Sequence, residues 1–261
     1  MHIDLLGPVM VRRDDGTVVT PSAPKRRALL GALAVRLNRT VATEELIELV
    51  WEGCAPPTAR AALQGHVAAL RRLLDGSGLE LGTRGSGYLL AGEPDRVDVL
   101  RFGRLCEQAG VLLPEPPGPA APAAPGAAPA TPATPATPAV PPTGAPAAPP
   151  VGAPQDPALP VLRAALDLWH GPALADCGSA LLRERTLPAL TDLRLRALER
   201  MADGLLRAGR GGELAAELAE AADAHPARQP LAARLVRCLE QDGRSAEARE
   251  HYERVLARLA G

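Results

Sequence analysis

"TARAALQGHVAALRRLL", residues 58–74, decides how the rest of this sequence is read. The stretch has helical spacing, carries three arginines and one histidine, and holds no Asp or Glu; the nearest carboxylates are Glu52 and Asp75. At roughly 100° per residue, Leu63, Val67, Leu70 and Leu74 fall on one stripe and form the predicted core face. Ala61, Gly65, Ala68 and Arg72 point nearly opposite, with Gln64 and Arg71 flanking them and Arg60 and His66 closer to the core boundary. A helix entering the major groove of DNA brings its backbone close to the bases and meets phosphate on either side. Small residues at its centre permit the approach, and carboxylates anywhere on it would be repelled. Gly65 costs about 1 kcal/mol of helix propensity, and close contact with DNA gives a reason to tolerate it. The competing reading is an Ala-rich helix whose basic face is simply solvated.

The neighbouring segments favour the first reading. "IDLLGPVMVRRDDGTVV" (3–19) predicts short strands around an Asp15-Gly16 turn. "KRRALLGALAVRL" (25–37) sets Leu29, Leu30, Leu33, Ala34 and Leu37 at helical spacing. "TEELIELVW" (43–51) opens with Thr43 as the expected N-cap, followed by two glutamates suited to a helix N-terminus. Pro56-Pro57 breaks the chain, and Thr58 is expected to cap the next helix. "LELGTRGSGYLL" (79–90) reads as a hairpin turning at "RGSG". Strands, helix, helix, turn, helix, hairpin is the order of a winged helix-turn-helix. The expected fold class is therefore an α+β winged helix-turn-helix domain followed by an all-α, tetratricopeptide-like repeat domain.

The second half supports that division. Residues 111–157 are almost free of charge, repeat a Thr-Pro-Ala triplet, and predict a disordered, polyproline-biased tether. Beyond it, helices are expected at 159–170, about 180–208, 213–225, 229–241 and 245–259, with one before it at 97–110. Gly209-Arg210 and Gly243-Arg244 stand 34 residues apart, the tetratricopeptide period. At the same offset Leu205 matches Leu239, Glu213 matches Glu247 and Leu218 matches Tyr252. The predicted division is 1–95 for the winged helix, 96–110 for the first helix of the second domain, 111–157 for the insertion and 158–261 for the remainder.

Composition limits the alternatives. The 261 residues carry a net charge of −1, split into +2 for residues 1–105 and −3 for the rest, and Lys25 is the only lysine. The apolar runs are too short to span a bilayer, no secretory leader is apparent, and a cytoplasmic, nucleoid-associated protein is expected. Cys54, Cys106, Cys177 and Cys238 are too scattered for a metal site or a C-x-x-C pair, and read as reduced thiols. No phosphate-binding loop, dinucleotide fingerprint, zinc-protease or nucleophile-elbow motif occurs. The expectation is no cofactor, no metal and no catalytic residue.

The predicted DNA-contacting residues are Lys25, Thr58, Arg60, Gln64, Gly65, Arg71, Arg72, Arg84 and Tyr88. Gln64 suits adenine and Arg60 or Arg72 guanine, each good bidentate pair contributing about 1–3 kcal/mol of discrimination. Arg71, Lys25 and Arg84 suit phosphate, which positions the protein without reading sequence.

Together "APKRRALL", "ELIELVW", "PPTARAALQGHVAALRRLL", "TRGSGYLL", "VDVLRFGRL" and "ALDLWHGPALAD" resemble the SARP family, the Streptomyces antibiotic regulatory proteins. The likeness covers nearly the whole chain except the Pro/Ala-rich insertion. It implies an OmpR-type winged helix, the output domain type of two-component phosphorelays, joined to a bacterial transcriptional activator domain of tetratricopeptide-like helices. The implied function is a pathway-specific activator of antibiotic biosynthesis that binds promoter direct repeats as side-by-side protomers and recruits RNA polymerase. The family's recognition helix maps onto 58–74 and its wing tip onto Arg84 to Tyr88. By the same analogy the loop Gly53, Cys54, Ala55, Pro56 and Pro57 is the expected polymerase contact. Family helices commonly carry a Ser and an Arg or His immediately before "LRR", where this chain has Ala68 and Ala69. "VDVLRFGRL" normally opens the activator domain, so helix 97–110 is expected to pack with the later helices across the insertion. The alternative function is a helical-repeat interaction module that makes no direct contact with DNA.

Overall fold

Backbone pairing of three short strands at the start of the chain builds a small antiparallel sheet. The computed structural model describes residues 1–111 and 156–259. Strands β1 (His2–Asp4), β2 (Met10–Arg12) and β3 (Val18–Val19) lie in that order, with Ile3 opposite Val11 and Val11 opposite Val19. Asp15 shapes the turn between β2 and β3 by accepting the Thr17 N–H at 2.8 Å.

Helix α1 (Pro24–Ala34) starts on a proline, whose missing N–H has no helical partner to lose in the first turn, and buries every residue from Ala28 to Ala34. Strand β4 (Thr40–Ala42) leads into α2 (Thr43–Trp51), with Glu44 and Glu45 at its positive end. The expected cap at Thr43 is not found. Ala42 holds the cap position, and the Thr43 hydroxyl donates instead to the Ser86 carbonyl at 2.6 Å. Helix α3 (Ala59–Leu74) follows the turn at 52–58. Thr58 occupies its cap position without a side-chain cap bond. A capping side chain works from extended backbone, whereas the Pro56–Ala59 turn delivers the chain already curled, with ψ 4° at Thr58.

Strands β5 (Glu80–Arg84) and β6 (Gly87–Ala91) form the hairpin, and β6 is the middle strand of a second sheet between β4 and β5. Gly87 is needed for that approach, since a Cβ there would lie 2.2 Å from the Val41 carbonyl oxygen. The element order of the N-terminal part is the one read from the sequence except for strand β4, which lies between the first two helices and is not among the expected elements.

The rest is helical: α4 (Asp98–Gln108), α5 (Ala158–Leu166), α6 (Ala180–Arg207), α7 (Ala215–Ala224), α8 (Gln229–Gln241) and α9 (Ser245–Leu259). Residues 112–155, most of the predicted tether, lie outside the described residues. Helix α4 packs on α5 and α6 across that stretch of sequence. Phe102 of α4 is fully buried, edge-on to Trp169 with ring centroids 5.5 Å apart. The 34-residue correspondence extends to individual bonds. Gly209 (φ 73°) and Gly243 (φ 77°) both turn the chain through left-handed backbone. Arg210 donates its N–H to the Leu205 carbonyl and Arg244 to that of Leu239, each at 2.9 Å, and Arg210–Glu213 and Arg244–Glu247 pair as matching ion pairs. The Leu218–Tyr252 equivalence fails in burial: Leu218 is fully buried while Tyr252 is 54% exposed, because no described helix follows α9.

The two halves share backbone partners. Leu5 and Leu6 donate N–H bonds to Asp98 at 2.7 and 2.8 Å, and their carbonyls accept from Leu174 and His170 at 2.9 and 2.8 Å. Burial pushes the Asp98 carboxyl up to about 7 despite the three amide bonds, from Leu5, Leu6 and Val99, that oppose the shift. Asp176 accepts the Val9 N–H at 2.7 Å and pairs with Arg27 of α1 at 3.1 Å. Helices α2 and α6 cap each other. Ser179, fully buried, accepts the Leu182 N–H at 3.0 Å and donates to the Leu49 carbonyl at 2.7 Å. Glu52, at the end of α2 with φ 54°, accepts the N–H groups of Ala180 and Leu181. Three terminal groups, the Leu49 carbonyl and the Ala180 and Leu181 N–H groups, are thereby satisfied across the junction, while Ser179 caps its own helix at Leu182.

Candidate nucleic-acid interface

Helix α3 divides as its sequence predicts. Leu63, Val67, Leu70 and Leu74 are at most 2% exposed and anchor it to α1, α2 and β5. Ala61, Gln64, Gly65, Ala68 and Arg72 face outward and are exposed. A Cβ built on Gly65 meets nothing within 4 Å. The outer face is an open, carboxylate-free ridge of small residues.

The cations around this ridge differ in how free they are. Arg72 and Arg84 are exposed, and neither has an ion-pair partner among the described residues. Arg84 sits beside the two-residue turn of the hairpin, paired in register with Gly87. Arg60 is exposed but bound to Glu44 of α2 at 2.5 Å. Arg71 reaches sideways to β5, its Nε donating to the Leu81 carbonyl at 2.8 Å and its Nη2 to the Thr83 hydroxyl at 2.9 Å. Lys25 lies on the other flank, its Nζ 4.8 Å from the centre of the Trp51 ring. His66 of α3 meets the same tryptophan, with centroids 6.2 Å apart. Its pKa is lowered, first by burial and then by the nearby Arg26 and Lys25 charges, which favours the neutral imidazole.

The remaining predicted residues fall in two places. Thr58 and the whole loop Gly53, Cys54, Ala55, Pro56 and Pro57 are exposed, with Gly53 at φ 80° and Cys54 a free thiol. Tyr88 is not on the hairpin tip. It is 8% exposed and shares a face with Leu90, fully buried, because residues two apart on a strand point the same way. That parity with the apolar Leu90 was the available signal against the ring as an exposed contact.

Sequence reasoning missed the groups that fix the hairpin in place. Its tip is held at the Ser86 carbonyl, which accepts from both the N–H and the hydroxyl of Thr43, and its edge is held by Arg71. Both links join residues that are distant along the chain. Among the described residues no cluster of three His, Cys, Asp or Glu could hold a metal ion, and no helix is long and apolar enough to cross a membrane.

Comparison with known proteins adds the wider context. Residues 145–261 match the family model of the bacterial transcriptional activator domain. The whole chain aligns with the transcriptional regulatory protein EmbR of Mycobacterium tuberculosis at 29% identity, covering 58% of that protein. It is 28% identical to the regulatory protein DnrI of Streptomyces peucetius over 99% of the chain and 85% of DnrI. Against the regulatory protein AfsR of Streptomyces coelicolor the identity is 31% over the whole chain and 22% of AfsR. Among solved structures, EmbR in complex with a low-affinity phosphopeptide superposes with a TM-score of 0.72 at 27% identity, over 99% of this chain and 59% of that one. The chain thus spans little more than half the length of EmbR. The chain carries a bacterial transcriptional activator domain over residues 145–261 and is similar along its length to the transcriptional regulators EmbR, DnrI and AfsR, a likeness that agrees with the SARP-family resemblance of its sequence.

Proposed function

We propose that this chain is a sequence-specific, DNA-binding transcriptional activator. In this reading its N-terminal part works as a winged helix-turn-helix, with α3 in the major groove and the β5–β6 hairpin as the wing. The observation that carries the proposal is the exposed outer face of α3, free of carboxylates and open at Gly65, next to Arg72 and Arg84, which have no ion-pair partner among the described residues. Gln64 reads adenine and Arg72 guanine, while Arg84, Lys25 and the uncapped Thr58 hydroxyl contact phosphate. Arg60 joins them once phosphate or guanine displaces Glu44. Tyr88 supports the wing from beneath.

The activator domain, built of tetratricopeptide-like helical hairpins, pairs protomers side by side on promoter direct repeats. The exposed loop 53–57 meets RNA polymerase. The similarity to DnrI and AfsR favours control of a secondary-metabolite pathway in the bacterial cytoplasm.

Fluorescence anisotropy on promoter fragments from the protein's own gene neighbourhood, across a salt series, tests this. Binding should weaken linearly in log–log form, and Arg84→Ala should reduce the slope by about 1. Gln64→Ala should relax preference at one base pair while leaving the slope unchanged. Absence of binding to any such fragment at low salt would remove the proposal.

A further inference from the structure

Arg71 has the position of a phosphate contact on α3, yet the Nε and Nη2 side of its guanidinium is already committed to the hairpin. We infer that Arg71 is a positioning residue that sets the angle of the wing against the recognition helix, and that it acts on DNA only through Arg84. This inference rests on the DNA-binding reading above.

The geometry begins with sheet order. Strand β5 is at the edge of its sheet, with β6 on one side only, so its outward backbone groups lack a strand partner. Helix α3 packs against β5. Arg71 fills the vacancy by taking the Leu81 carbonyl through Nε at 2.8 Å and the Thr83 hydroxyl through Nη2 at 2.9 Å. Leu81 is 5% exposed, so its end of the clamp is anchored in the core, whereas Thr83 immediately precedes Arg84. At the tip, Thr43 holds the Ser86 carbonyl with two donors. Arg84 therefore lies between two fixed points, one on α3 and one on α2. A planar fork can hold two acceptors at a set angle, which a lysine ammonium on a flexible stem cannot do. Retention of charge is thus separable from retention of geometry.

The test is a double-mutant cycle on promoter DNA with the full chain. In the wild-type background Arg84→Ala should weaken binding about tenfold, the loss of one charge-assisted hydrogen bond. In an Arg71→Lys background the same change should weaken it less than about twofold, because the wing no longer presents residue 84. Arg71→Lys alone should weaken binding nearly as much as Arg71→Ala. Near-wild-type affinity for Arg71→Lys, or additive losses for Arg71 and Arg84, would overturn the inference and return Arg71 to the phosphate backbone. Hydrogen exchange on the DNA-free protein separates this inference from the DNA-binding reading. Faster exchange of the β5–β6 amides in Arg71→Lys, with α4–α6 unchanged, supports the clamp even if wild-type protein binds no DNA. Unchanged hairpin exchange overturns it.

Discussion

Replacing Gly65 by alanine should move stability and DNA affinity in opposite directions. In the interior of an exposed helix, alanine is favoured over glycine by about 1 kcal/mol, because it has less backbone entropy to lose. Nothing in the fold opposes that gain, since the added methyl has no neighbour within 4 Å. A gain of that size raises the melting temperature of a chain this long by about 2–4 °C. On DNA the same methyl occupies space that the proposed docking assigns to base edges. Forcing an extra carbon into a close-packed contact costs about 1–3 kcal/mol, equivalent to roughly five- to 150-fold in affinity. Differential scanning calorimetry and anisotropy titration of one preparation would measure both. A stabilised Gly65→Ala protein with undiminished affinity would show that this face does not approach DNA closely, and the docking of α3 would be wrong.

Other expectations follow from the contacts around the site. Ser179→Ala strands a buried N–H and a buried carbonyl, so urea unfolding should show a loss of about 2–3 kcal/mol; a loss below about 0.5 kcal/mol would mean that the helices do not depend on each other's caps. Glu44→Gln releases Arg60 and removes a carboxylate from the proposed groove, so DNA affinity should rise several-fold at low salt, and a fall would assign the ion pair a structural role instead. Asp98 binds its proton more tightly folded than unfolded, with a folded pKa of about 7 against an ordinary 3.8. Its stabilising contribution is therefore complete below pH 4 and is lost as pH rises toward 7. Asp98→Asn should remove that slope, which amounts to as much as about 4 kcal/mol across the window, and an unchanged pH profile of unfolding would contradict the assignment.

The parts legible in the sequence were those set by near neighbours. The α3 faces follow from residues three and four apart, the hairpin turn from Gly85-Ser86, and the helical hairpins from Gly209 and Gly243. What stayed hidden depends on partners remote in sequence. Thr43 looks like a cap because a threonine precedes two glutamates, yet its hydroxyl belongs to Ser86, which β-sheet pairing delivers only after the chain has folded. Arg71 and Arg60 look like free cations until β5 and α2 supply acceptors. Periodicity could not place Glu52 or Ser179, because their roles lie at the ends of helices whose mutual approach is a tertiary fact.

The crossed capping of α2 and α6 bears on how such a protein is made and how it diverges. Synthesis delivers residues 43–74 long before Ser179, and domains generally form as units as the chain emerges. Here the carbonyl end of α2 must wait, hydrated, until the start of α6 has left the ribosome. A recombination event that exchanged only the first third of the gene would separate Leu49 and Glu52 from the amides and hydroxyl they are matched to. Viable hybrids should therefore place their crossover downstream of Leu182, or carry both sides of the joint from one parent.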